Sequence, residues 1–157
     1  MASCFFIGHR ETKPEMLAYI AETAEELIQK EWVSTFYTGG YGEFDRLARE
    51  AVIRLKKKYP YIRLFLVLPY HPAVRPTKTP PGYDGTFYPD GMERVSRRYA
   101  IVKANQKMID TCDFLISYVV HGASNARNLL EYAERQQKKG RIHVINLGVP
   151  REQFTPS

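Results

Sequence analysis

Thr35-Phe36-Tyr37-Thr38-Gly39-Gly40-Tyr41-Gly42-Glu43-Phe44-Asp45-Arg46-Leu47-Ala48-Arg49-Glu50-Ala51-Val52 is the stretch that decides the fold. Its first four residues, Thr35 to Thr38, are β-branched or aromatic and read as a short strand. Gly39, Gly40 and Gly42 then break the chain. From Glu43 the period changes. Phe44, Leu47, Ala48, Ala51, Val52 and Leu55 recur at helical spacing, which predicts a helix to Lys57. Strand, glycine turn and amphipathic helix in succession make up most of a β-α-β unit.

The same alternation extends outward. Upstream, Cys4 to Ile7 reads as a buried strand. Pro14 to Lys30 reads as a helix with Met16, Ile20, Ala24, Leu27 and Ile28 on one face. Thr12 and Glu15 have the spacing of a capping box for it. Downstream, Ile62 to Leu68 is a continuous apolar strand ending at Pro69. Glu93 to Asp110 reads as a third helix, Phe114 to Val120 as a fourth strand, and Ala126 to Lys139 as a fourth helix closed by Gly140. Ile142 to Leu147 is the last strand. Residues 1–150 then form one domain, and residues 151–157 a loose tail. Strands without in/out alternation belong in a parallel sheet covered on both faces. The expected fold class is therefore α/β: a Rossmann-like three-layer sandwich with a five-stranded parallel sheet in the order 3-2-1-4-5. The connection from Tyr70 to Met92 is long for a compact domain, which marks a functional lid or a structureless segment. Its rings, Tyr70, Tyr83, Phe87 and Tyr88, are expected to pack either on a second subunit, giving a homo-oligomer, or on the chain's own pocket.

Composition sets further bounds. Of 157 residues, 44% are hydrophobic and 25% charged, which excludes wholesale disorder. No apolar run approaches the roughly 18 residues of a membrane span, and the start of the chain lacks the pattern of a signal peptide. With only Cys4 and Cys112, outside any redox or metal spacing, a cytoplasmic setting without membrane contact is expected. The histidines, His9, His71, His121 and His143, have no ligand spacing, so neither metal nor cofactor is called for. The formal net charge of +6 suits anionic partners, and equally suits solubility alone.

In such sheets ligands bind beyond the carboxyl ends of the strands, where strand order reverses. Here that point falls between the first and fourth strands. Three turns belong on that edge. In Gly8-His9-Arg10, the glycine allows close approach of a ligand, and Arg10 at the start of the first helix can hold a phosphate through paired hydrogen bonds. In the Gly39, Gly40, Gly42 turn, backbone N–H groups face a phosphate or ribose, and Glu43 or Asp45 can accept from ribose hydroxyls. It is neither a P-loop nor a dinucleotide fingerprint. In His121-Gly122-Ala123-Ser124-Asn125-Ala126, Gly122, Ser124 and Asn125 form a donor-rich cradle, and Ser124 or Asn125 also suits the N-cap of the fourth helix. Tyr70 follows the third strand directly. The third helix brings Arg94, Arg97 and Arg98 near the same edge, with Arg98, Val102, Asn105 and Ile109 on one face. Asn105 is then a partly buried amide that needs partners.

Taken in order, these pieces resemble the SLOG superfamily, which groups the Smf/DprA and LOG proteins, and above all its small YpsA-like bacterial and phage members. The matching segments are Cys4 to Arg10, Thr38 to Asp45, Leu68-Pro69-Tyr70, Asn105 to Asp110, Glu131-Tyr132-Ala133 and Val144 to Leu147, which together cover nearly the whole chain. The resemblance implies a Rossmann-like fold and a pocket for a nucleotide-derived ligand. Some members sense or sequester signalling nucleotides such as ADP-ribose derivatives, and LOG members cleave the base from nucleoside monophosphates. Those hydrolases carry Pro-Gly-Gly-x-Gly-Thr-x-x-Glu at the third turn. Here the Glu position falls on Asn128 or Leu129, neither of which supplies a carboxylate. The first expectation is thus a binder of an adenine nucleotide or an ADP-ribose-like or cyclic signalling nucleotide. The second is an N-glycosidase or phosphoribohydrolase using Glu43 or Asp45. The third and weakest, from the DprA side, is single-stranded nucleic-acid binding.

Overall fold

The computed structural model describes residues 1–122 and 124–149. Among them, six strands form one sheet: β1 (Ala2–Gly8), β2 (Val33–Thr38), β3 (Arg63–Val67), β4 (Gly85–Phe87), β5 (Phe114–Tyr118) and β6 (His143–Asn146). Their order is β4-β3-β2-β1-β5-β6, and every neighbouring pair is parallel. Helices α1 (Met16–Glu31) and α2 (Glu43–Lys58) pack together, as do α3 (Ala100–Thr111) and α4 (Asn125–Lys138). The apolar run of β1 explains the two layers. Cys4 and Phe6 enter one core with Ile20, Leu27, Leu47 and Val52 of α1 and α2. Phe5 and Ile7 enter the other with Ala104, Met108, Leu129 and Ala133 of α3 and α4. Successive strand side chains point to opposite faces, so a strand buried on both must be apolar throughout.

The five expected strands stand in the expected relative order, but the sheet has six. The additional strand, β4, lies inside the Tyr70–Met92 connection. It is only Gly85-Thr86-Phe87, too short to show a period, and exists because the far edge of β3 accepts it. The Asp84 N–H donates to the Leu64 carbonyl and the Leu68 N–H to the Phe87 carbonyl. The Asp84 carboxylate receives the Leu64 N–H and pairs with Lys56. The rings of this connection pack on the chain's own body: Tyr83 against the first core, and Tyr70, Phe87 and Tyr88 against the second.

Three local expectations are corrected. The third helix does not begin at Glu93: two 3-10 turns, Met92–Arg94 and Arg97–Tyr99, precede it, with Val95 and Ser96 extended between them. Its buried stripe is Ala100, Ala104, Met108 and Ile109, while Arg98 and Val102 are exposed, because small side chains let the helix lie close on the sheet. The Thr12–Glu15 capping box does not form. Thr12 Oγ1 donates to the His9 carbonyl at 2.9 Å, and Glu15 occupies the N-cap position without a side-chain bond. The helix therefore starts at Met16, away from Arg10. Among the described residues no helix is long and apolar enough to cross a membrane. The expected tail, Ala123 and Pro150 lie outside the described residues.

Candidate functional site

The three turns that follow β1, β2 and β5 meet at the carboxyl edge of the sheet and are tied to one another. At the end of β1, a Cβ added to Gly8 would stand 2.2 Å from Phe44 Cγ. The room that this glycine leaves is filled by the Phe44 ring, not open to a ligand. His9 is only 5% exposed. Its Nε2 accepts the Val120 N–H at 2.9 Å, and its ring stacks on His121 with centroids 3.9 Å apart. Burial, then the neighbouring His121 and Arg127, hold its pKa below the ordinary histidine value. Two stacked imidazoles thus stand at the base of the seam between β1 and β5, expected to be the centre of the site. His9 there ties the end of β1 to the segment after β5.

The Gly39–Asp45 turn locks onto Arg10. Gly42 has φ of 92°, and a Cβ there would lie 2.8 Å from Arg10 Cα. The Glu43 N–H donates to the Arg10 carbonyl at 2.8 Å. Asp45 folds back under the turn, where its Oδ2 accepts the Tyr41 N–H at 3.1 Å. The same oxygen would sit 2.9 Å from a Cβ on Gly39. Burial pushes the Asp45 carboxyl up to about 7, and the Tyr41 N–H offsets that only in part. Glu43 faces solvent and pairs with Arg46 at 2.9 Å. At the third turn Ser124 caps α4, its Oγ accepting the Arg127 N–H at 3.0 Å. Asn146 of β6 braces the end of β5, giving its Nδ2 hydrogen to the Val119 carbonyl and taking the Val119, Ser117 and Gly148 hydrogens on Oδ1.

A concave surface among the described residues lies to one side, beyond the ends of β2 and β3, and Tyr70 lines both of its lobes. A smaller lobe of about 170 Å³ is lined by Gly40, Tyr41, Tyr70, Arg75 and Thr77 with apolar residues from the end of β3. A larger lobe of about 460 Å³ is lined by Tyr70, His71, Tyr88, Met92, Glu93 and Arg97, among others. The Arg75 guanidinium lies 4.7 Å and that of Arg97 5.8 Å from the centre of the Tyr70 ring. Neither arginine forms an ion pair with a described residue.

Of the residues singled out from sequence, Gly40, Tyr70 and Arg97 line this cleft. Gly8, Gly39 and Gly42 serve close packing, His9 and Asp45 are internal braces, and Arg10 stands against Gly42. Glu43 and Arg98 are exposed, with Arg98 over the Tyr99 ring. Asn105 is half-buried in α3 and lines neither lobe, while Gly122 and Asn125 are exposed at the third turn. Tyr88, one of the rings expected to pack on a second subunit or on the chain's own pocket, lines it too, whereas Tyr41, Arg75, Thr77 and His71 carry no ligand role in the sequence reading. The available signal was a pair of cations, Arg75 and Lys78, set in a Pro-rich connection that also carries the aromatic rings. No metal-holding group of three or more His, Cys, Asp or Glu occurs among the described residues. No protein-family model matches the chain, and none of the curated proteins matches it in sequence.

Proposed function

We propose that this chain is a SLOG-like domain that captures an adenine nucleotide or an ADP-ribose-like compound, cyclic signalling nucleotides included, in the cleft whose two lobes Tyr70 lines, as a sensor or a sequestering protein that does not turn its ligand over. One observation carries the reading. At the carboxyl edge of a parallel sheet, a glycine turn, aromatic rings and two arginines that form no ion pair with a described residue share one concave surface. Aromatic walls suit a heterocycle, and guanidinium groups suit phosphate. A binder needs affinity for the ground state only, whereas an enzyme needs groups that act selectively in the transition state.

A second reading has an observation in its favour. Asp45, whose carboxyl burial brings close to neutrality, has the protonation behaviour of a general acid in glycosidic cleavage. It lies under Gly39 rather than on the cleft wall, which favours the binding reading. The test is calorimetry and base-release chromatography with nucleoside monophosphates, ADP-ribose, cyclic ADP-ribose and NAD. Binding without free base is the expected result. Free base that disappears in Asp45→Asn makes the protein a hydrolase. No binding to this panel, with salt-sensitive binding to single-stranded DNA, makes it a nucleic-acid binder.

A further inference from the structure

Two guanidinium groups share the Tyr70 ring, yet they line different lobes: Arg75 the smaller and Arg97 the larger. The lobes also differ in charge. The larger has aromatic and apolar walls in Tyr70, His71, Tyr88, Met92 and Val95, and one carboxylate, Glu93, to set against Arg97. The smaller has no acidic lining residue. Its walls are apolar and aromatic as well, in Leu66, Val67, Leu68, Pro69, Tyr41 and Tyr70, and its polar groups are Arg75, the Thr77 hydroxyl and the Gly40 backbone. Its volume of about 170 Å³ suits a compact polar group, whereas about 460 Å³ accommodates a heterocycle with its sugar.

We infer that the cleft selects for a second phosphate: the heterocycle occupies the larger lobe, the phosphate nearest the sugar crosses Tyr70 beside Arg97, and the next phosphate enters the smaller lobe against Arg75 and the Gly40 turn. The inference rests on the nucleotide reading above and assigns a ligand class to it, nucleotides with a diphosphate group over nucleoside monophosphates. Charge decides the polarity. The uncompensated cation is in the smaller lobe, so the charge-dense end of the ligand belongs there. A nucleoside in that lobe would displace water from a guanidinium without offering it an anion. The two arginines accordingly do different work. Arg97 meets the phosphate that mono- and diphosphates share, whereas Arg75 meets only the additional one.

That division sets the experiment. Adenosine monophosphate and adenosine diphosphate are titrated calorimetrically into the intact chain, into Arg75→Ala and into Arg97→Ala. Both side chains belong to exposed residues, and thermal melts confirm that the variants fold. In the unaltered chain the diphosphate binds about tenfold or more tightly than the monophosphate, the effect of one charge-assisted contact. Arg75→Ala removes that margin and leaves the monophosphate within about twofold of its original affinity. Arg97→Ala weakens both by about tenfold or more. Equal affinity of the unaltered chain for the two nucleotides overturns the inference and leaves the nucleotide reading in place, and that comparison needs no variant. Equal weakening of both nucleotides by Arg75→Ala likewise overturns it. Failure of the unaltered chain to bind either nucleotide overturns the inference together with the reading beneath it.

Discussion

Gly8→Ala separates two uses of the same glycine. If Gly8 lets a ligand approach, alanine leaves stability alone and weakens binding. The structure assigns the space to Phe44 instead. A new Cβ would lie 2.2 Å from Phe44 Cγ, 2.5 Å from Cδ2 and 2.7 Å from Cβ. A rotamer change relieves the first two contacts but not the third, because Phe44 Cβ is fixed to the α2 backbone. The ring has little room to turn: it is fully buried, with the Phe6 and Tyr118 rings at 6.5 and 6.3 Å. Helix α2 must therefore shift, and with it the Gly42–Arg10 contact. Overpacking costs about 1–3 kcal/mol, and a clash that reaches the backbone belongs at the upper end. For a domain of this size about 3 kcal/mol lowers the melting temperature by roughly 6–12 °C. Urea and thermal denaturation measure both. Gly8→Ala combined with Phe44→Leu, which removes the ring, loses less than the sum of the single changes, by about 1 kcal/mol or more. A Gly8→Ala melt within about 1 °C of the parent, or strict additivity in the double variant, refutes the packing account.

Further expectations follow from the braces of the site. Asp45 titrates near 7 when folded, against an ordinary aspartate value when unfolded. Between about pH 4 and 7 the folded chain then holds a proton that the unfolded chain has released, so this group makes stability fall as pH rises through that window. Asp45→Asn keeps an acceptor for Tyr41 and gains on the parent between pH 5 and pH 8 in chemical denaturation; parallel pH profiles would rule this out. His9 has the opposite dependence. Its depressed value means that the unfolded chain takes up a proton first as pH drops below about 6.5, and stability is lost on the acid side. His9→Ala flattens that acid limb relative to the parent. At pH 7.5 it costs about 1–3 kcal/mol, because the Val120 N–H loses its acceptor. Asn146→Ala releases the end of β5 and costs about 2–4 kcal/mol by denaturation, with an effect below 1 kcal/mol counting against its bracing role. Tyr83→Phe removes the 2.6 Å hydrogen bond to buried Thr38 and costs about 1 kcal/mol. An unchanged melt would show that bond to be idle.

What the amino-acid sequence determined by itself is whatever repeats locally. The doubly apolar runs around Phe5, Leu64 and Ile116 called for a parallel sheet with two covered faces. The helical stripes from Ile20 to Ile28 and from Phe44 to Leu55 named the residues that are in fact buried. Parallel strands in turn put the three glycine-bearing turns on one edge, and the chain alternation set the relative order of five strands. Periodicity is legible because burial recurs at each turn of a helix or each residue pair of a strand. β4 has no such repeat. It is three residues held by the free edge of β3, a partner about 20 positions away. The start of α3 follows the same logic, since the break between Met92 and Tyr99 lies outside any repeating stripe. The glycines were legible as glycines but not in their use. A missing Cβ makes the same mark in a sequence whether its space receives a ligand or a side chain from elsewhere, here Phe44, Asp45 and Arg10. The cleft likewise depends on Gly40, Tyr70, Arg75 and Arg97 meeting at one sheet edge. These residues belong to three separate connections, and only the closed fold sets the distances between them.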